Sequence, residues 1–338
     1  MSARAELPSQ ERYFAGVDGG ATKTVCIISD AQGSLRGLGV SGPSNCHNVG
    51  LEVALSEISK AVKSAVKRAG MGGAELEVVC FGLAGMDSPL DARRIEKGLR
   101  SLRLGKRQKV VHDTIIALVG ALAGQPGIIV IGGTGSVAGG VDSSGRTVRV
   151  GGWGAILDDE GSAYDIGRKA LTAALRAYDG RVKATGLLKT VMKRIGASIP
   201  EGIIDAVYIK GMGVAEIASL SPVVVQLGVK GDEVSQRILK DAGESLAGLA
   251  IATASKLGLK EGYKVSPVGG VFRSGAMVID AFKRRLRETA PRARVVPPKF
   301  SPVIGSLILS LREGGVELST ATLERMATQL GRASRIAS

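Results

Sequence analysis

Tyr13-Phe14-Ala15-Gly16-Val17-Asp18-Gly19-Gly20-Ala21-Thr22-Lys23-Thr24 reads as a short apolar strand running into a carboxylate, a glycine pair, a hydroxyl and an ammonium. The β-branched run from Thr24 to Ser29 predicts a second strand, and Gln32-Gly33 turns the chain into a third that ends near Val40. Apolar residues at helical spacing (Val53, Leu55, Ile58, Ala61, Val62, Ala65) predict a helix over Leu51 to Arg68. The opening order is β-β-β-α.

From there strands alternate with helices. Glu77 to Phe81 predicts a strand, Leu90 to Leu102 a helix, Lys109 to His112 a strand, and the segment from about Thr114 another helix. Such alternation extends a sheet in parallel. Gly127 to Ile131 starts the series again, followed by the turn Gly132-Gly133-Thr134-Gly135-Ser136 and strands over Val137 to Val141 and Thr147 to Val150. Helices over Ala163 to Arg176, Gly186 to Ile195 and Val234 to Leu257 come next, then a strand over Tyr263 to Val268 and a helix after Gly269-Gly270. A recurrence about 115 residues after the first marks a duplicated α/β domain, not a short-period solenoid. Two lobes with a cleft between them are expected, residues 1–125 and 126–310, divided at Gly124-Gln125-Pro126-Gly127.

Composition agrees with two cores, because 338 residues at 44% hydrophobic content exceed what one core ordinarily takes. No run of about 18 apolar residues occurs, and Met1 to Arg12 lacks the apolar centre of a signal peptide, so a cytoplasmic protein with no membrane partner is expected. Cys26, Cys46 and Cys80 form no CxxC pair and encode neither a disulfide framework nor a zinc site. The net charge of +14, from 45 basic and 31 acidic residues, admits nucleic acid or phosphorylated ligands. The basic stretches Arg93 to Lys109 and Lys283 to Arg294 have no interleaved aromatics for base stacking; they read as solvated helix faces, and no nucleic-acid partner is expected.

Chemistry concentrates in a few loops. Asp18-Gly19-Gly20-Ala21-Thr22-Lys23 can cradle phosphate on backbone amides while Asp18 orients hydrated Mg²⁺; the alternative is an ordinary Asp-Gly hairpin. Gly133, Thr134, Gly135 and Ser136 repeat the device in the second lobe, and two such loops can hold a polyphosphate. Neither is a P-loop. Asp113 is either a helix N-cap or a general base for a substrate hydroxyl. Both asparagines of the chain, Asn45 and Asn48, flank His47 and offer groups suited to sugar hydroxyls, with a surface turn as the alternative. Trp153, the single tryptophan, lies among three glycines, and Asp158-Asp159-Glu160 opens a helix whose start would favour acids in any case. Gly269-Gly270 can lie against a nucleotide or serve only close packing.

Taken in order, eight motifs resemble the BadF/BadG/BcrA/BcrD ATPase family, in its N-acetylglucosamine kinase and glucosamine kinase-like branch, which includes archaeal hexokinases of broad specificity. They are GVDGGATKT (16–24), GPSNCHNVG (42–50), FGLAGMD (81–87), VVHD (110–113), IGGTGSVA (131–138), GGWGAILDDEGSAYDIG (151–167), VGGVFRSG (268–275) and SPVIGSLILSL (301–311). The resemblance implies an α/β actin-like ATPase (ribonuclease H-like) fold of two βββαβαβα lobes, with the last segment, about 310–338, returning to the first. It implies an ATP-dependent sugar kinase with Mg²⁺, in which Gly19, Gly20, Thr22, Lys23 and Gly133 to Ser136 face the phosphates, Asp18 the metal, and Gly269 and Gly270 the adenosine. Asn45, Gly85, Trp153 and Asp159 would then surround the sugar, with Asp113 as base. The expected partners are a sugar and ATP, and the expected assembly is a homodimer.

Two positions depart from the family pattern. His112 stands where Asn commonly precedes the catalytic Asp, and Asp158 where Gly commonly precedes Asp-Glu-Gly-Ser. Both bear on which sugar is used. Two other functions stay open on the sequence alone: an ATPase activator of a dehydratase or reductase, which would need cysteines for an iron–sulfur cluster, and a sugar-responsive nucleic-acid-binding regulator.

Overall fold

The computed structural model describes residues 11–337, except 72, 87 and 261. The expectations for the first ten residues and for Asp87 at the end of FGLAGMD lie outside the described residues. The chain divides into two compact units, residues 1–125 with 298–338, and residues 126–297.

The first unit is built on β1 (Tyr13–Gly19), β2 (Thr24–Asp30), β3 (Leu35–Ser41), β4 (Leu76–Leu83) and β5 (Arg107–His112), in the order β3-β2-β1-β4-β5. β1 to β3 pair antiparallel, whereas β4 and β5 run parallel to β1. Between the strands lie α1 (Cys46–Val49), α2 (Leu51–Ala69) and α3 (Pro89–Leu102), and β5 runs straight into α4 (Asp113–Ala121). Alternation along β1 decides its faces. Ala15 and Val17 pack with Ile58 and Val62 of α2 and Leu99 of α3, while Phe14 points to the other face.

In the second unit β6 (Gly127–Gly132), β7 (Ser136–Val141) and β8 (Thr147–Gly151) lead through α5 (Ala163–Tyr178), α6 (Leu187–Ile195), α7 (Gly202–Ile204), a π-turn over Asp205–Ile209, α8 (Val214–Ala218), α9 (Ser221–Val229) and α10 (Glu233–Leu257) to β9 (Tyr263–Val268). α11 (Gly270–Arg273), α12 (Ala276–Thr289) and β10 (Ala293–Val295) complete it. The sheet order β10-β9-β6-β7-β8 reproduces that of the first unit strand for strand. Its core gathers Ile128 and Val130 from β6 with Leu246 and Ala250 from α10. Among the described residues no single helix is long and apolar enough to cross a membrane.

The chain rejoins the first unit from Pro298. Lys299 and Phe300 donate their amides to the carbonyls of Ala121 and Gly120, which fixes the chain before α13 (Pro302–Glu313) begins. Leu307 and Leu311 are fully buried, and the Ser306 and Ser310 hydroxyls donate to the β4 carbonyls of Cys80 and Val78. α14 (Thr320–Ala337) follows. Its Leu323 and Met326 join the same core.

Candidate active site

The three parallel strands of the first unit end side by side. Gly19 is level with Leu83 and Leu83 with His112, so Asp18, Ala84 and Asp113 cluster about one edge of the sheet. That is where an open α/β sheet presents its ligand groups. Gly20 to Lys23 form a four-residue hairpin loop closed by the Gly20 amide on the Lys23 carbonyl. The hairpin reading is therefore right, and it does not exclude the phosphate reading. Thr22 and Lys23 are exposed, and among the described residues the Thr22 amide donates to nothing.

The sugar-assigned groups of this unit meet the same loop. The Gly20 carbonyl accepts the amides of Ser44 and Asn45, and the Gly19 carbonyl accepts that of Ala84. Asn45 caps α1 by accepting the His47 amide on Oδ1 at 3.0 Å. Gly85 adopts φ +82°, and a Cβ there would lie 2.6 Å from that same Oδ1. A glycine is needed on both counts.

Asp113 is not the N-cap. His112 takes that place, its Nδ1 accepting the Thr114 amide at 3.2 Å, because its φ of −63° and ψ of 145° keep it extended while Asp113 is already helical. The Asp113 carboxylate is thereby free for other work. Its Oδ1 accepts the Thr114 hydroxyl at 3.3 Å and lies 2.8 Å from His112 Nδ1, and among the described residues its Oδ2 has no partner. Burial first, and the charge of Asp113 second, push the Asp18 carboxyl up to about 6, with Lys23 opposing.

The second unit carries the other glycine loop. Gly132 pairs with Ser136, and the Gly133 amide donates to the Gly135 carbonyl, leaving the amides of Thr134 and Gly135 without an acceptor among the described residues. The loop is anchored to the start of α5, whose Ala163 and Tyr164 amides donate to the Gly133 and Thr134 carbonyls. Ser136, expected to face the phosphates, has protein partners for both its polar groups. It is the first residue of β7 and is buried, its hydroxyl donating to the Glu160 carbonyl and its amide to Asp159 Oδ1 at 2.9 Å. Asp159 is itself buried, at φ +62°, and burial raises its carboxyl while the Ser136 amide lowers it. Its Oδ1 thus holds the glycine loop through the Ser136 amide.

Gly269 and Gly270 separate into two roles. A Cβ on Gly269, at φ +110°, would run into the Gly132 carbonyl, which is close packing. Gly270 faces open space. Trp153 is 75% exposed, not core, and its amide donates to Asp158 Oδ2 at 3.3 Å.

The model of the BadF/BadG/BcrA/BcrD ATPase family matches residues 15–310. The chain belongs to that family. It is 35% identical over 303 residues to an N-acetylmuramic acid/N-acetylglucosamine kinase of Clostridium acetobutylicum, spanning 89% of this chain and 99% of the relative. It is 30% identical over 314 residues to an N-acetyl-D-glucosamine kinase of Dictyostelium discoideum, spanning 89% and 98%. The solved structure of a candidate N-acetylglucosamine kinase from Chromobacterium violaceum superimposes with a TM-score of 0.72 at 26% identity, over 89% of this chain and 99% of that one. With its two sheets of one strand order, this BadF/BadG/BcrA/BcrD ATPase has the actin-like ATPase fold.

Two residues inside the motifs carry structural contacts that the motifs themselves did not announce. Ser44 is buried and accepts the Thr24 hydroxyl at 2.8 Å, which ties the Asn45 segment to the start of β2. Ser162 caps α5 by accepting the Asp165 amide at 3.1 Å. The Ser-x-x-Asp spacing at 162–165 is a legible capping signal. Ser44 has no comparable signature.

Proposed function

We propose that the protein transfers the γ-phosphoryl group of ATP to a hydroxyl of an amino sugar, N-acetylglucosamine or glucosamine, with Asp113 as general base and Asp18 as the ligand of Mg²⁺. The observation that carries it is the Oδ2 of Asp113, without a partner among the described residues, at the carboxyl ends of the parallel strands, beside Asn45, Gly85 and the hairpin loop of Asp18. The enzyme is a phosphotransferase with an alcohol group as acceptor, and ATP is its co-substrate.

Asn45 Oδ1 and the backbone beside Gly85 orient the sugar. Oδ2 of Asp113 accepts the hydroxyl proton as the oxygen attacks phosphorus. In the first unit the Thr22 amide and Oγ1 with Lys23, and in the second unit, taken by itself, the Thr134 and Gly135 amides of the loop that Asp159 braces, are groups that can hold phosphate oxygens. The Asp18 carboxylate fits a divalent cation, since burial and the charge of Asp113 both disfavour its ionised form when it stands alone. Held by Asp18, Mg²⁺ would neutralise phosphate charge. This reading includes a cytoplasmic enzyme, where ATP is at hand, and the homodimer, which light scattering of the purified chain tests.

The activator reading is not favoured. Cys26 and Cys80 are fully buried in β2 and β4, and burial raises both thiols, that of Cys80 to about 11. Thiols so placed are poor cluster ligands. The test is a panel of N-acetylglucosamine, glucosamine, N-acetylmuramic acid, glucose and mannose with Mg-ATP, read by coupled ADP release. Release that none of the sugars stimulates rejects the kinase reading.

A further inference from the structure

His112 places one ring nitrogen between two incompatible neighbours. Nδ1 lies 3.2 Å from the Thr114 amide, a donor that needs its lone pair, and 2.8 Å from Asp113 Oδ1, an acceptor that needs a proton there. With both groups unprotonated, two lone pairs would face each other at 2.8 Å, which is repulsive. A proton between Nδ1 and Oδ1 turns the contact into a short charge-assisted hydrogen bond. The ring is 21% exposed and the carboxylate 38%, so the pair is partly shielded from the solvent that would otherwise weaken it.

The two oxygens of Asp113 are therefore unlike. Oδ1 is occupied by His112 and by the Thr114 hydroxyl, whereas Oδ2 has no partner among the described residues. We infer that His112 is the positioning residue of the general base: by sharing a proton with Oδ1 it fixes the carboxylate so that Oδ2 meets the acceptor hydroxyl. This rests on the reading of Asp113 as base. His112 faces Asp113 on its own segment, Asp113 acts on Asp18 from β1, and Lys23 acts on Asp18 from the hairpin loop.

The chain has two histidines, His47 and His112, so histidine labelled with ¹⁵N gives a spectrum of two rings, assigned with His47→Gln. In the free protein, Asp113→Asn is expected to move the titration midpoint of the His112 ring to lower pH, because the carboxylate that favours the imidazolium is gone. An unmoved midpoint overturns the proposal. In kinetics, His112→Ala is expected to lower kcat by about 10-fold with both KM values within about twofold. His112→Asn, whose amide can still cap α4 and donate to Oδ1, is expected to restore most of kcat while shifting the acid limb of the pH profile, since an amide cannot hold the shared proton. Unchanged kcat in His112→Ala, or a wild-type acid limb in His112→Asn, counts against it. If no sugar is phosphorylated, the functional reading fails while the spectra still decide whether ring and carboxylate are coupled.

Discussion

Asp18 at the end of β1 lies under the negative charge of Asp113 at the start of α4, and that charge adds to burial in lifting the Asp18 carboxyl from 3.8 to about 6. The folded state thus holds the Asp18 proton more tightly than the unfolded chain does. Stability from the protonated form is fully present below pH 3.8 and is lost as pH rises through about 6. About two units correspond to roughly 3 kcal/mol of strain in the ionised state. Asp18→Asn, which cannot ionise, is expected to melt higher than the wild type at pH 8 and no higher at pH 4, without added metal. Saturating Mg²⁺ should then raise the melting temperature of the wild type and leave the variant unmoved. Thermal scans at the two pH values check this, and an equal gain at both refutes the electrostatic cause.

Asp113→Asn separates base from fold. His112, not Asp113, caps α4, so the substitution leaves the Thr114 amide with its acceptor and the melting temperature should change little. An amide cannot take the hydroxyl proton. Turnover is expected to fall by on the order of 10²–10⁴ with both substrates still bound, measured by ADP release and by calorimetric titration. Near-normal turnover would remove Asp113 from the mechanism.

The sheets were legible because their strands advertise themselves. Apolar β-branched runs are broken by Asp-Gly or Gly-Gly, and the recurrence of the pattern revealed the duplication. Strand ends were less so: β1 continues to Gly19 and β6 to Gly132, since glycines that look like turn residues still pair across the hairpins with Thr24 and Ser136. The helix Ser221–Val229 escaped because Ser-Pro-Val-Val-Val-Gln-Leu-Gly-Val has no helical period and is rich in β-branched residues. At the site, residue type and place were readable, but partners were not. Nothing in Asp113 says that its neighbour takes the cap, nor in Asp159 that its carboxylate turns to Ser136, because both depend on contacts that side-chain geometry alone sets.

Asp159→Ala tests the second loop. It removes the acceptor of the buried Ser136 amide, which costs about 1–3 kcal/mol if the amide stays unpaired. With the brace gone, the Thr134 and Gly135 amides lose their fixed aim, so KM for ATP should rise more than KM for the sugar. Gly135→Ala should act alike, because its Cβ would lie 2.8 Å from Asp159 Oδ2 and push the carboxylate away. Steady-state kinetics with each substrate varied in turn check both variants. A rise confined to the sugar KM would return Asp159 to the sugar.

Asn45 and Gly85 test the sugar side of the first unit in the same way. Asn45→Ala removes Oδ1 and with it both a cap on the one-turn helix α1 and a group for sugar hydroxyls. The cap accounts for about 1 kcal/mol of stability, and the loss of a paired polar contact should raise KM for the sugar by 10-fold or more with KM for ATP little changed. Asn45→Asp keeps the acceptor that caps α1 and removes only the amide N–H₂. If the amide donates to the sugar, the aspartate variant should be as stable as the wild type and still impaired toward sugar. Gly85→Ala approaches the same atom from the other side: strained at φ +82° and pressing on Oδ1, it should impair sugar use together with some loss of stability. Melting temperatures and the two KM values for all three variants form the test. If Asn45→Asp uses sugar as well as the wild type does, the amide N–H₂ makes no contact that matters, and any sugar contact of Asn45 is made through Oδ1.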